Sequence, residues 1–192
     1  MRPIILASAS PRRRELLTQA GFTFEVIPAH VNEDPYPDEE PTAYVVRLAR
    51  EKAEAVYGQL RAPEAIVIGA DTTVTVDGHI LAKPEDAEDA ARMLRKLSGR
   101  THQVITGVAI ASGIGTDAAA EVTSVEFFTL SDEEIRAYVA TGEPMDKAGA
   151  YGIQGYAARW IPRIEGCYFN VVGLPLARVA AMLKANDFAI ED

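Results

Sequence analysis

Cysteine is almost missing from this chain: Cys167 stands alone. An internal disulfide framework is therefore excluded, and the usage suits a reducing cytosol. Histidine is nearly as scarce. His30, His79 and His102 are dispersed and, with one cysteine, offer no zinc-ligand spacing, so each reads as a surface or strand residue. Cys167 follows a Glu-Gly turn without an evident base partner, which argues against a nucleophilic role. No segment approaches the ~20 apolar residues that span a bilayer. The opening Met1-Arg2-Pro3-Ile4-Ile5-Leu6 is too short, and too soon followed by arginines, to read as a secretory signal. A cytoplasmic protein without a membrane partner is expected. Basic residues are outnumbered, giving a net charge of −9, and a nucleic-acid polymer, whose binders need a basic footprint, is not the expected partner. A small anion can still bind where cations converge locally.

What is present suffices for a sizeable core. Hydrophobic residues make up 48% of 192, a length that suits one domain or two intimately packed lobes. There is no repeat and no low-complexity linker, so residues 1–192 are read as a single domain. Residues 3–7 read as a short buried strand. Ser10 caps a helix with Pro11 at its first position and Gly21 just past its end. An acidic, proline-rich loop (30–41) precedes a helix over 42–57. An apolar strand (65–69) leads to a hairpin, 72–76 against 79–82, whose turn is Asp77-Gly78. The spacing then predicts a helix over 85–97, strands over 101–111 and 120–130, and a helix to Ala140 opened by a Ser131/Glu134 capping box. A glycine-rich loop (146–155), a hairpin around Glu165-Gly166 and a helix from Pro175 complete the chain. Clear hairpins among mixed strands and helices point to α/β with a mixed sheet, not to regular βαβ alternation.

Charged residues stand where a core should be. Leu16, Leu17 and Ala20 define the buried face of the first helix, and at 100° per residue Arg13 falls near its centre, flanked by Arg12 and Arg14. An arginine there needs an anionic partner. It is either a carboxylate that fixes the helix or a phosphate cradled by the helix N-terminus with Ser8 and Ser10. Lys52 likewise lies inside the stripe of Val45, Leu48, Ala49 and Val56; its ammonium either snorkels out or lines a buried anion site. The ammonium is expected to be unpaired in the empty protein, so Lys52→Met should bind substrate weakly yet be as stable as the wild type or more so. Counting back from the turn pairs Val76 with His79, Thr72 with Lys83 and Asp71 with Pro84. Asp71 at a strand end beside a lysine is either an ion pair or a holder of metal or water next to phosphate. The segment Lys147-Ala148-Gly149-Ala150-Tyr151-Gly152-Ile153-Gln154-Gly155 lets backbone approach a ligand closely or is a plain loop; it lacks the Walker pattern.

Taken in order, Leu6-Ala7-Ser8-Ala9-Ser10-Pro11-Arg12-Arg13-Arg14-Glu15-Leu16-Leu17, Arg47-Leu48-Ala49-Arg50-Glu51-Lys52-Ala53, Gly69-Ala70-Asp71-Thr72, Lys83-Pro84, Leu97-Ser98-Gly99, Asp146 through Gly155 and Val172-Gly173-Leu174-Pro175 resemble the Maf family of nucleotide pyrophosphatases across essentially the whole chain. The resemblance implies a two-lobed α/β fold with a central cleft, similar to inosine triphosphate pyrophosphatases. It also implies hydrolysis between the α- and β-phosphates of a small-molecule nucleotide, helped by Mg²⁺ or Mn²⁺. It assigns Ser8 and Arg13 to phosphate, joined by Lys52 and Lys83, and Glu33 and Asp71 to metal and water, with Asp71 as general base. Arg12, Thr72 and Gln154 resemble the branch acting on dTTP and UTP, with modified pyrimidines also admitted. The 7-methyl-GTP branch carries an aromatic residue, Gln and Glu there. The family was named for inhibiting septum formation, so a non-catalytic nucleotide-binding regulator of division is the competing expectation. A homodimer is left open.

Overall fold

The computed structural model describes residues 2–186. Its elements run β1 (Ile4–Leu6), α1 (Pro11–Gln19), β2 (Phe24–Val26), α2 (Pro41–Tyr57), β3 (Ile66–Val76), β4 (His79–Leu81), α3 (Ala87–Leu97), β5 (Thr101–Ser112), β6 (Gly115–Glu126), α4 (Asp132–Val139), β7 (Arg163–Glu165), α5 (Tyr168–Val172) and α6 (Leu176–Ala185). Among the described residues the strands form one mixed sheet in the order β2-β1-β3-β5-β6-β7, with β4 also on β3. β1 runs parallel to both β2 and β3, while β3/β4 and β6/β7 are antiparallel. No helix among these residues is long and apolar enough to cross a membrane.

The chain divides into two compact units. Among the described residues one comprises 2–71, 106–121 and 173–186, the other 72–105 and 122–172. In the first unit, α2 lies against the strands through small residues. Ala49, Ala53 and Val56 join Ile5, Val67 and Ala109 in one apolar cluster. A Cβ on Gly69 would collide with the Ala49 carbonyl oxygen, and one on Gly107 with that of Val45. The helix backbone thus rests directly on β3 and β5. Residues two apart on a strand share a face, so Asp71 is the next residue after Gly69 on that face.

The second unit has its own core, built from Val74, Val76, Leu94, Leu97, Phe127, Tyr138, Tyr151 and Trp160 among others. The β3/β4 register pairs Val76 with His79 and Val74 with Leu81, as the Asp77-Gly78 turn predicts. Both turn residues have positive φ, 52° and 75°, the geometry of a two-residue hairpin. Ser131 and Glu134 form the expected capping box.

Several expectations need correction. The strands expected at 65–69 and 72–76 are one continuous β3. β2 is an unforeseen three-residue strand. β6 starts at Gly115, earlier than expected, and ends at Glu126. No hairpin folds around Glu165-Gly166; β7 pairs back onto β6, and the chain then enters α5. Ala20 is exposed, leaving Leu16 and Leu17 as the buried face of α1. The end of the expected C-terminal helix, beyond residue 186, lies outside the described residues.

His102 is a buried strand residue, 2% exposed. Its Nε2 lies 2.7 Å from the Tyr151 hydroxyl, its ring packs edge-on against Phe127, and its Nδ1 has no hydrogen-bond partner. Burial pushes its pKa down to about 4, against ~6.5 when unfolded. The unfolded chain therefore binds the proton more readily, and stability is lost as pH falls from ~6.5 towards 4. Between pH 7.5 and 5 this amounts to about 2 kcal/mol. The urea midpoint of the wild type should fall over that interval, and that of His102→Gln should fall clearly less. Parallel pH profiles would mean that His102 is not the titrating group.

Candidate active site

The first unit gathers five of the expected residues into one bonded set. Ser10 caps α1, its side chain accepting from the Arg13 N–H. That cap fixes the turn after β1 and sends the Arg13 side chain back across it. Arg13 Nε donates to the Gly173 carbonyl at 2.8 Å. Its Nη1 donates to the Ala70 carbonyl at 2.9 Å and to Ser8 Oγ at 3.2 Å. Ser8 is 7% exposed and also accepts from the Ser10 N–H. Arg13 therefore ties the β1–α1 turn to β3 one residue before Asp71. Burial pulls its guanidinium below the ordinary arginine value; the Asp71 and Glu33 carboxylates oppose that pull and Arg12 reinforces it. Asp71, Glu33 and Arg12 thus all lie close enough to act on the Arg13 guanidinium.

Lys52 is the second anchor. Its position in the apolar stripe of α2 buries it, at 7% exposure. The ammonium neither snorkels out nor stays unpaired. Nζ lies 2.7 Å from Asp71 Oδ1 and 2.6 Å from Glu33 Oε1. The Asp71 side chain is 12% exposed and that of Glu33 48%. The reach is set by the bare Gly69: with α2 seated on it, the Lys52 stem runs along the sheet to the carboxylate two residues further on.

Glu33 comes from the acidic loop, and α2 holds that loop in place. The Tyr44 hydroxyl donates to the Glu33 carbonyl at 2.8 Å. Arg47 grips both Glu39 oxygens, at 2.6 and 2.7 Å, and donates to the Asp34 carbonyl at 3.2 Å. Its guanidinium stacks 4.0 Å over the Tyr36 ring. The Arg47 bond holds the Glu39 carboxyl below its usual range. Burial, with the Asp71 and Glu33 charges, pushes Tyr44 up to about 12. Neither Tyr44 nor Arg47 stands out in the sequence as a site residue. The (i, i+4) pair Arg47/Glu51 is the only local signal, and it says nothing of the loop.

Arg12 is partly buried on α1. In the second unit, Thr72 follows Asp71 within β3, and Lys83 is exposed just beyond β4. Gln154 is exposed at the tip of a turn closed by a Gly155 N–H to Gly152 carbonyl bond of 3.2 Å.

The Maf family model, described as Maf-like protein, matches residues 3–186. The chain belongs to the Maf family. It is 56% identical over 181 residues to a dTTP/UTP pyrophosphatase of Koribacter versatilis, covering 94% of this chain and 93% of that one. It is 54% identical over 184 residues to a dTTP/UTP pyrophosphatase of Shigella sonnei, covering 96% and 93%. Among solved structures it resembles the Staphylococcus aureus Ham1 protein, with a TM-score of 0.54 at 16% identity over 96% of this chain and 100% of that one. At that identity the likeness is one of fold.

The pairing of Lys52 reverses the stability expected of Lys52→Met. Removing the ammonium leaves two carboxylates facing each other, one of them buried. Breaking a buried pair costs ~3–5 kcal/mol; half-exposed Glu33 can turn to water, so a loss of about 3 kcal/mol is expected. A urea midpoint at pH 7 clearly below the wild type, at equal m-value, is the check.

Proposed function

We propose that this chain hydrolyses dTTP and UTP to the monophosphate and pyrophosphate, with modified pyrimidine triphosphates as further substrates. The observation that carries the reading is the buried Lys52, held between Asp71 and Glu33 beside Arg13 and Ser8. Full-length relatives at more than half identity that are named dTTP/UTP pyrophosphatases support it. A cytoplasmic location agrees with the single cysteine.

The reaction needs a water activated beside an anhydride of two phosphates, and fixed positive charge where negative charge develops. Asp71 takes the proton of the attacking water as general base. Arg13, fixed by its hydrogen bonds, stabilises the phosphoryl oxygens and the departing pyrophosphate without reorganising, Lys52 and Lys83 add positive charge, and Ser8 orients phosphate at the start of α1. The donor set also suits a hard cation. Mg²⁺ is held by one or two carboxylates together with water and substrate phosphates. Asp71 and Glu33 converge on Lys52 Nζ, at 2.7 and 2.6 Å, and a cation held by both carboxylates would take the place of that ammonium; no group of three or more His, Cys, Asp or Glu side chains forms a closed cage among the described residues. Mg²⁺ or Mn²⁺ bound there by Asp71 and Glu33 would lower the pKa of water and offset phosphate charge.

Arg12, Thr72 and Gln154 carry base selection in this reading. A glutamine amide offers one donor face and one acceptor face, which suits the N3–H and an adjacent carbonyl of uracil or thymine. Cytosine lacks that N3–H.

Three outcomes are expected. Asp71→Asn should lose at least ~10²-fold in kcat with unchanged far-UV circular dichroism; retention of about a tenth of the wild-type rate, well outside that range, would remove Asp71 from the role of base. Chromatography of the UTP reaction should give UMP and pyrophosphate without UDP. In kcat/KM, UTP and dTTP should lead CTP, GTP and 7-methyl-GTP. A purine at the head of that ranking would sink the base assignment and leave the pyrophosphatase reading standing.

A further inference from the structure

The glycines of the segment 147–155 admit protein groups. A Cβ on Gly149 would meet the Val74 side chain, one on Gly152 the Lys147 stem, and one on Gly155 the Glu143 carboxylate. The last two flank the turn that carries Gln154. Lys147 is itself tethered, donating to the Glu143 carbonyl at 2.6 Å and to Asp146 at 2.7 Å. The Glu143 carboxylate is divided between two donors. Oε1 accepts from the Tyr138 hydroxyl at 3.0 Å, and Oε2 from the Tyr156 N–H at 3.3 Å. Tyr138 is fully buried at the end of α4 and stacks on the Tyr156 ring. The helix therefore reaches the base of the turn through the Glu143 carboxylate, beside the Tyr138/Tyr156 ring stack and a bond between the Tyr138 hydroxyl and the Gly152 backbone.

We infer that Glu143 is a positioning residue for base selection, clamping the 152–155 turn so that Gln154 presents its amide in one orientation. The inference rests on the reading above that Gln154 pairs with the base. An exposed glutamine on a free four-residue turn would lose conformational entropy on binding any base, and its hydrogen bonds would discriminate weakly. Anchored at Gly155 and Tyr156, the turn is ordered before the nucleotide arrives, and a base that leaves the amide unpaired is penalised. Glu143 touches neither phosphate nor base in this role, so its loss should act on discrimination and KM more than on kcat.

The experiment is a comparison of Glu143→Ala, Glu143→Gln and Tyr138→Phe with the wild type. It uses steady-state kinetics on UTP and CTP, with amide hydrogen exchange at Tyr156. Glu143→Ala should speed exchange at Tyr156 and raise KM for UTP. It should shrink the UTP/CTP ratio of kcat/KM by about tenfold, the value of one neutral hydrogen bond at the upper end of its range. Glu143→Gln should recover most of that ratio, since its amide oxygen can accept from the Tyr156 N–H while its amide nitrogen donates to the phenol oxygen. Tyr138→Phe should shift the ratio in the same direction by less. A ratio unchanged in Glu143→Ala despite faster exchange would overturn the inference, leaving Glu143 with a structural role only. If Glu143→Ala does not fold, an unchanged ratio in Tyr138→Phe overturns it equally. A wild-type enzyme that does not prefer UTP over CTP would overturn the base reading itself, and the inference with it.

Discussion

Lys52 carries a full positive charge into a layer between helix and sheet, and much of the first unit follows from neutralising it there. A buried ammonium without partners would shed its proton or disrupt the packing around it. Two carboxylates must therefore reach one nitrogen from different parts of the chain. Asp71 does so because Gly69 lets α2 settle onto β3. Glu33 does so because Tyr44 and Arg47, on the same helix as Lys52, pin down the acidic loop. Helix, strand and loop are thus bound by one charge, and Arg13 adds a second tie through Ala70, next to Asp71. A polyanionic substrate entering this group would meet cations already fixed in place, which is the condition for stabilising charge as it develops.

Local rules made part of this legible. Ser10-Pro11 and Ser131/Glu134 mark helix starts because their chemistry is complete within four residues. Asp77-Gly78 sets a register because only a two-residue turn with positive φ joins strands that closely. Helical periodicity correctly put Lys52 and Arg13 on inward faces. It could not say what waited for them. Periodicity locates a side chain on its own helix, whereas partners such as Glu33, Asp71, Ala70 and Gly173 are fixed by topology. The expectation that Lys52 was unpaired failed for that reason. β2 was missed because Phe24-Glu25-Val26 is too short for its alternation to stand out and its residues are partly or well exposed. Glu165-Gly166 looked like a turn because Gly166 does adopt a positive φ; there it leads into α5.

The glycine-rich segment shows a second use for residues without a Cβ. Glycines there suggest backbone drawn close to a ligand. Gly149, Gly152 and Gly155 lie against Val74, Lys147 and Glu143. A residue without a Cβ is as useful for seating a turn on its own protein as for approaching a phosphate, and sequence does not separate the two uses.

The seat of α2 on Gly69 and Gly107 bears on efforts to make this protein more robust. Replacing glycine by alanine ordinarily stabilises a fold by ~0.4–1 kcal/mol, because the unfolded chain has fewer states to lose. At these two strand positions neither glycine has a positive φ, so backbone geometry alone would nominate both for that exchange. A single methyl group at either would press on a helix carbonyl and lever α2 away from the sheet, carrying the Lys52 ammonium with it. The change that looks safest on backbone grounds would disturb the Lys52 ion pairs from a position with no chemistry of its own.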